Sequence, residues 1–400
     1  MRNRIISKKK PSVMGIIMAG GAGNRLLPLT EKRAKAALHF GGCYRLVDFV
    51  LSNFYHSDID HIGLITQYNS TSLLKHINSP LSSPMKKATI DLLPAQQKND
   101  QQDWYKGTAD SVRQNLDTIK GYNPEYIVIA AADHVYTVDF RESIDYHIQK
   151  GADLTILAKS VPLEMSRGFG IIGVDDDYQI NAFIEKPSNP PTIPHNPDHC
   201  YASMGIYIYT ASFLYSILEA DPSYGDDFGH DIIPASLAIG KGYTYDFDSV
   251  EKSFWYDIAT PDDYWRANMD LTSGKIQLEK HHWPIMTTVS KGHNITRISG
   301  ALHNTVLGDG CTVGHKSSME HSVLFSHSEI GSKTNIRESL ILPGAHVGEN
   351  CNLHRVIVEK NVKIPNNMTI GLDPINDKKN FHYTDNGITI VTKKNILKFL

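Results

Sequence analysis

"GIIMAGGAGNRLLPLTEKRAKAA" runs from Gly15 to Ala37 and holds the reading of the first half of the chain. An apolar run, Val13 to Ala19, feeds a glycine cluster, and four cations follow: Arg25, Lys32, Arg33 and Lys35. Backbone N–H groups of such a turn can cradle phosphate oxygens. A Walker loop is excluded, because no Gly-Lys pair is present. A dinucleotide fingerprint fails at its third glycine, where Leu26 stands. A kinase loop would sit on a hairpin without so dense a cationic continuation. What remains is a strand-to-helix turn holding an anion, with Arg25 placed at the same anion.

Outward from this loop, residues 13 to about 272 alternate apolar runs with amphipathic stretches. "VMGIIMA", "HIGLITQ", "YIVIAAADHVY", "ADLTILAKSV" and "ASMGIYIY" read as strands, several apolar throughout as buried central strands are. "YRLVDFVLSNFYHS" and "TADSVRQNLDTIKGY" read as helices, the second opened by Thr108 with Asp110 in its first turn. The alternation predicts an α/β, Rossmann-like domain over residues 1–272 with a mostly parallel central sheet. Ligands of such sheets sit beyond the carboxyl ends of the strands, so the loops after Ala19, Ala132 and Ile184 should share one rim.

Residues 273–300 are polar and aperiodic and read as a connector. Beyond them apolar residues recur every six positions: Leu307, Val313, Met319; Leu324, Ile330, Ile336; Ile341, Val347, Leu353; Val358, Ile364, Ile370. Each triplet starts seventeen residues after the last. A six-residue period predicts a parallel β-helix over 301–400, with three inward corners per coil. Gly308, Gly314, Gly331, Gly348 and Gly371 follow corner residues, where turns would need a permissive backbone. Open coil ends should be capped by the first domain or by another subunit.

The chain of 400 residues is long enough for two domains. A net charge of -3 gives no general reason to expect nucleic acid as a partner. No run of eighteen apolar residues predicts a membrane span. The basic start, "MRNRIISKKKPSV", has no apolar core of a leader and reads as a solvated tail. Cys43, Cys200, Cys311 and Cys351 form no CxxC pair, which suits a reduced, cytoplasmic enzyme.

"AGGAGNRLLPLTEKRAKAALHFGG" resembles the GGxGTRLxPLTxxRAKPA signature of the sugar-1-phosphate nucleotidyltransferases, and more closely the glucose-1-phosphate adenylyltransferase branch. The resemblance continues in order through "YRLVDFVLSN", "LITQYNS", "LLPAQQ", "DWYKGTADSVRQNLD", "ADHVY", "FIEKPSNPP", "ASMGIY", "DFGHDIIP" and "YDIATPDDYWRANMDL". It implies a C-terminal left-handed β-helix and a reaction of ATP with α-glucose 1-phosphate that yields ADP-glucose and pyrophosphate, for glycogen or starch synthesis. No covalent intermediate is needed, because the sugar phosphate is already an anionic nucleophile. Alignment, charge neutralisation and a metal carry such chemistry.

On the resemblance, Arg25 and Lys35 handle the β- and γ-phosphates and the leaving pyrophosphate, and Gly20, Gly21 and Gly23 form the ATP loop. Asp133 and Asp257 match the ligands of Mg²⁺, a cation that prefers oxygen donors. His134 reads as a packing residue, since Mg²⁺ disfavours imidazole. Glu185 and Lys186 match the sugar hydroxyl and sugar phosphate contacts, with Ser203, Gly170 and Tyr105 in the same subsite. Gln96, Gln97 and Gly107 match the region that reads the adenine edge, for which a side-chain amide offers both donor and acceptor.

The resemblance further implies a homotetramer sensing a phosphorylated glycolytic or adenylate effector. Lys32, Arg33, His39, Arg45 and Arg355 match its cationic positions, Trp104 and Tyr105 the loop that couples effector to site, and contacts from any tail beyond Leu400 are not expected. Four positions depart from the pattern: Asn24 for Thr, Ala36 for Pro, and Ala132 and Ala259 for Gly. An alanine would cost about 1 kcal/mol if the backbone there needs positive φ. Three other readings stay open: a different nucleotide, a low-activity regulatory subunit, or an acyltransferase using the β-helix histidines His315, His321 and His327.

Overall fold

Strand β1 (Val13–Ala19) lies inside a nine-stranded sheet. The computed structural model describes residues 10–78, 88–95, 104–220, 225–249, 254–278, 283–287 and 296–399. Strands β2 (His61–Thr66), β3 (Thr89–Pro94) and β4 (Tyr126–Ala131) extend this sheet. β1 pairs in parallel with both β2 and β4, and β2 with β3. Ile16, Ile17, Val128 and Ile129 are fully buried between the layers, as their apolar runs require.

The other half of the sheet adds antiparallel pairs to the parallel ones. It contains β6 (Leu154–Pro162), β7 (Gly170–Val174), β8 (Ile180–Glu185), β9 (His199–Thr210) and β10 (Gly242–Asp246), with β5 (His134–Tyr136) and β11 (Trp255–Asp257) forming a separate pair. β9 runs antiparallel to β4, β6 and β7, and β8 runs antiparallel to β7. The register of β9 shifts between Ser203 and Tyr207, around Gly205 at φ +66°. Such a bulge bends a long strand. β9 reaches the end of β4 at the Ile206–Ala130 pair, and its first residues continue past it. There they carry β7 and β8, with Ala202 beside Ile171 and Glu185 beside Gly170. This antiparallel overhang brings Glu185 to the rim beyond β1 and β4, although β8 runs opposite to its neighbour β7.

Two segments read as single elements are broken. "YIVIAAADHVY" ends as β4 at Ala131 and resumes as β5 at His134, leaving Asp133 in the break. "TADSVRQNLDTIKGY" forms helices Thr108–Arg113 and Leu116–Gly121. At the break the Asn115 amide donates to the Ser111 carbonyl at 2.8 Å and to the Tyr105 hydroxyl at 2.9 Å, an alternative to the helical ladder. Thr108 begins the helix without capping it; the Ala109 and Asp110 N–H groups donate instead to the Asp226 carbonyl.

The C-terminal half is a parallel β-helix of three sheets with five, five and six strands among the described residues. Its first strand, Arg297–Ile298, lies within the stretch assigned to the connector. Of the inward corners read from the sequence all are buried except Leu307, which is half-buried. The glycines act by size more than by conformation. Among those five only Gly371 has positive φ, whereas a Cβ at Gly314 would stand 2.6 Å from the Ser332 nitrogen of the next coil. Left-handed turns fall instead on Asn304, His321, Glu338 and Arg355, with a second series at Lys316, Lys333, Asn350 and Asn367.

The β-helix packs on the N-terminal half through a shared apolar core that includes Phe40, Phe49, Val323, Phe325 and Leu340. The Ser326 N–H donates to the Gly42 carbonyl across this junction at 3.1 Å. The described part of the connector packs as well. Ile285 is buried, and Trp283 Nε1 donates to Asn53 Oδ1 at 3.1 Å on the helix Leu46–His56.

Candidate active site

At the end of β1 the glycine loop makes a one-turn 3-10 helix, Asn24–Leu26, instead of a long helix. Gly23 takes φ +68°, and its carbonyl accepts from Thr30 Oγ1 at 2.8 Å. A Cβ on Gly21 would meet nothing within 4 Å, so the loop faces open space. Gly20 and Gly23 are half-buried, while Arg25 is exposed at the mouth. With so short a helix, attraction for an anion rests on local N–H groups and on the cations.

Lys35 supplies one of these, from the 3-10 turn Lys35–Ala37. Its Nζ lies 2.6 Å from Asp133 Oδ2 and 3.6 Å from Asp257 Oδ1. The β5–β11 pairing sets Asp257 opposite His134, which places both aspartates side by side although 124 residues separate them. Burial alone would raise the Asp133 carboxyl, but Lys35 and His134 hold it below the usual carboxylate value. Burial is likewise outweighed at Asp257, where His134, Lys35 and Arg25 hold the carboxyl well down. Both oxyanions are thus charged and able to take a cation.

His134, read as a packing residue, has its Nε2 3.5 Å from Asp133 Oδ1 and 3.4 Å from Asp257 Oδ1. Burial lowers its basicity, but Asp133 and Asp257 outweigh that and raise it above the ordinary value. One ligand atom each of Asp133, His134 and Asp257 lies within 4.8 Å of the others. Two carboxylates fit a hard divalent cation.

The residues matched to the sugar subsite lie on or beside the overhang. Gly170 faces Glu185, and a Cβ there would sit 2.6 Å from Phe183 Cζ and 2.8 Å from Glu185 Oε2. A Cβ on Gly229 would lie 3.2 Å from the same oxygen, so two glycines make room for one carboxylate. Lys186 adopts φ +48°, its side chain pairs with Glu185, and it is half exposed. Ser203 is buried, with its Oγ accepting from the Gly205 N–H at 3.3 Å.

Tyr207 and Asp227 escaped the sequence reading. Burial pushes the Tyr207 hydroxyl up to about 12, with Ser203 as its hydrogen-bond partner and Glu185 and Asp227 nearby. Asp227 accepts from Thr108 Oγ1 at 3.1 Å and from the Gly229 N–H at 2.9 Å. It therefore ties the turn at Gly229, beside Glu185, to the segment that begins at Gly107. Their signal was present in "DFGHD" and "GIYIY", but nothing local marks either residue as facing a ligand.

Gly107 is required by space, since a Cβ would stand 2.2 Å from the Asp226 carbonyl oxygen while its φ of -167° is ordinary extended backbone. Gln96 and Gln97 lie outside the described residues. Tyr105 is buried, with its hydroxyl engaged by the Leu93 carbonyl at 3.2 Å and by Asn115, so it braces the loop from the core. Trp104 is exposed and stacks on Tyr68.

Three cationic positions assigned to an effector meet at the domain junction. His39 is held in its neutral form by burial and by the charges of Arg45, Lys360 and Arg33. Arg33 pairs with Glu359 of the β-helix at 3.0 Å, and Arg45 donates to the Ser72 carbonyl at 2.9 Å. Lys360, which the sequence reading did not select, joins them. Lys32 is exposed outside these contacts, and Arg355 packs over Trp265 and donates to the Asn386 carbonyl.

Two departures lose their expected cost. Ala132 and Ala259 are not among the residues with positive φ, so an alanine is not strained at either position. Ala36 is buried in the turn that carries Lys35, and Asn24 starts the 3-10 turn after Gly23.

Residues 14–274 match the nucleotidyl transferase family, and residues 289–391 match the GlmU-like C-terminal hexapeptide family, in agreement with a left-handed β-helix. A glucose-1-phosphate adenylyltransferase of Roseobacter denitrificans is 38% identical over 99% of both chains. One of Francisella tularensis is 40% identical over 96% of this chain and 95% of its own. One of Yersinia pseudotuberculosis is 41% identical over 98% of this chain and 97% of its own. Their similarity runs over nearly the whole length of each chain, and the chain therefore belongs to the glucose-1-phosphate adenylyltransferase family of nucleotidyl transferases.

Proposed function

We propose that the protein transfers the adenylyl group of ATP to α-glucose 1-phosphate, giving ADP-glucose and pyrophosphate for glycogen or starch synthesis. The observation that carries this reading is the meeting of Lys35, Asp133 and Asp257 beside the glycine loop. A sugar-phosphate oxygen attacks the α-phosphorus, and the bond to the bridging oxygen of the β-phosphate breaks. Pyrophosphate leaves with that electron pair, facing Arg25 and Lys35. Lys186 and Glu185 hold the sugar phosphate and its hydroxyls, with Ser203 and Gly170 shaping the subsite. Gly20, Gly21 and Gly23 line the phosphates, and Gln96, Gln97 and Gly107 belong to the adenine side.

Asp133 and Asp257 would hold Mg²⁺, which neutralises phosphate charge when bound. Arg33, Arg45 and Lys360, with the neutral His39 among them, make a cationic cluster suited to a phosphorylated effector at the domain junction. The protein is read as a cytoplasmic homotetramer, and no described helix is long and apolar enough to cross a membrane.

Pyrophosphate release tests the reading, with Mg²⁺, glucose 1-phosphate and each of ATP, UTP, GTP and dTTP, with and without fructose 1,6-bisphosphate. Release with ATP that is lost in Lys186→Ala supports it. Release mainly with another nucleotide refutes the adenine assignment. No release from folded protein points to a regulatory subunit.

A further inference from the structure

Trp255 Nε1 lies 3.1 Å from His134 Nδ1, and the opposite ring nitrogen, Nε2, lies 3.4 Å from Asp257 Oδ1 and 3.5 Å from Asp133 Oδ1. An indole N–H only donates, so Nδ1 must present its lone pair to Trp255. A carboxylate only accepts, so Nε2 must carry the proton. Both ring nitrogens are therefore assigned by their partners. In this orientation neither nitrogen offers a lone pair to a cation held between the aspartates.

We propose that His134 is a positioning residue whose Nε2–H orients the two metal-binding carboxylates, with Trp255 fixing the ring, and that it is not a third ligand. Carboxylates that ligate metals are themselves commonly hydrogen-bonded, and losing such a partner lowers metal affinity. The His134 ring is closely surrounded. It stands edge-on to the Trp255 indole with 5.4 Å between centroids, and its Cε1 lies 3.5 Å from where a Cβ of Gly205 would be. Trp255 also packs against Phe169, the residue before Gly170, at 5.3 Å between centroids. The Phe169 carbonyl accepts from the Lys186 N–H at 2.9 Å. The same indole thus touches the sugar side and sets the histidine on the metal side.

The inference rests on Asp133 and Asp257 as metal ligands, and Mn²⁺ binding to the full chain without substrates tests both. Electron spin-echo spectra of bound Mn²⁺ should lack the ¹⁴N coupling of a directly bonded imidazole. His134→Leu should weaken Mn²⁺ binding about 10-fold or more, and His134→Gln, which keeps a donor near Nε2, should restore most of it. Trp255→Phe should weaken binding in the native background but not further in His134→Leu. A ¹⁴N coupling would make His134 a ligand and overturn the proposal. So would unchanged Mn²⁺ affinity in His134→Leu, which would leave only packing. Should His134→Leu fail to fold, the spectrum of the native protein and the Gln variant still decide. Unchanged binding in Asp257→Asn would overturn the metal reading itself and this inference with it.

Discussion

Lys35 and Asp133 stand 98 residues apart in the chain, yet the ammonium meets the carboxylate at 2.6 Å. That ammonium also lies 3.6 Å from Asp257, so it stands against the oxygens a divalent cation would take. Lysine and metal cannot both hold them at full strength, because two cations at such a distance repel. Lys35→Ala should therefore tighten Mn²⁺ binding in the absence of nucleotide, read by titration, while lowering kcat by about 100-fold through loss of charge at the leaving pyrophosphate. Weaker metal binding in this variant would show that the lysine supports the cation.

Lys186 reaches its position through a left-handed backbone and a half-exposed side chain paired with Glu185. Its Ala variant should raise KM for glucose 1-phosphate by about 10-fold to 100-fold, the range of a lost charge-assisted hydrogen bond. KM for ATP should move far less. Steady-state kinetics with each substrate varied in turn separates the two.

Gly170→Ala places a methyl 2.8 Å from Glu185 Oε2 and 2.6 Å from Phe183 Cζ. Overpacking of this kind costs about 1–3 kcal/mol. The displaced carboxylate should raise KM for the sugar phosphate, and the thermal midpoint should fall. An unaltered KM would mean that Glu185 does not touch the sugar.

His147 titrates in the core. Its Nδ1 lies 2.8 Å from Thr155 Oγ1, and its Nε2 lies 3.1 Å from Thr210 Oγ1, whose own proton goes to the Ala152 carbonyl. Burial lowers its pKa to about 4. The unfolded chain then binds a proton that the native protein does not, so stability falls as pH drops from about 6.5 towards 4. The loss approaches about 3 kcal/mol at the acid end. Thermal midpoints across this window should fall more steeply in the native protein than in His147→Gln.

Ala132 is buried and lacks positive φ. Replacing it with glycine should destabilise the protein by about 0.4–1 kcal/mol, because a glycine loses more freedom on folding. A gain in stability or rate from Ala132→Gly would show that the backbone here needs a glycine after all.

The phosphate loop, the alternating layers and the six-residue period were legible in the sequence, because each is a local pattern of apolar spacing, glycine and charge. Asp133 was legible only through the family resemblance, since alone it is an ordinary residue at the end of a buried run. The breaks at Ala132–Asp133 and Gln114–Asn115 were not, since an apolar run carries no mark of where pairing to a neighbour stops. The antiparallel overhang was equally hidden, because strand direction depends on connections and on a bulge at Ser203–Tyr207. Corner positions of the β-helix could be counted, but the closeness of successive coils, which makes its glycines necessary, is a distance between segments seventeen residues apart.

By itself, then, the sequence determined which residue types line an anion site and how the chain divides into a layered domain and a solenoid. Only the tertiary structure decided that Asp257 stands beside Asp133, that Lys35 reaches both, that Lys360 joins Arg33 and Arg45, and that Trp255 orients His134. Burial and the pairing of β5 with β11 impose these meetings. A charge takes its role from the low-dielectric neighbours it is packed against, and those neighbours come from distant parts of the chain.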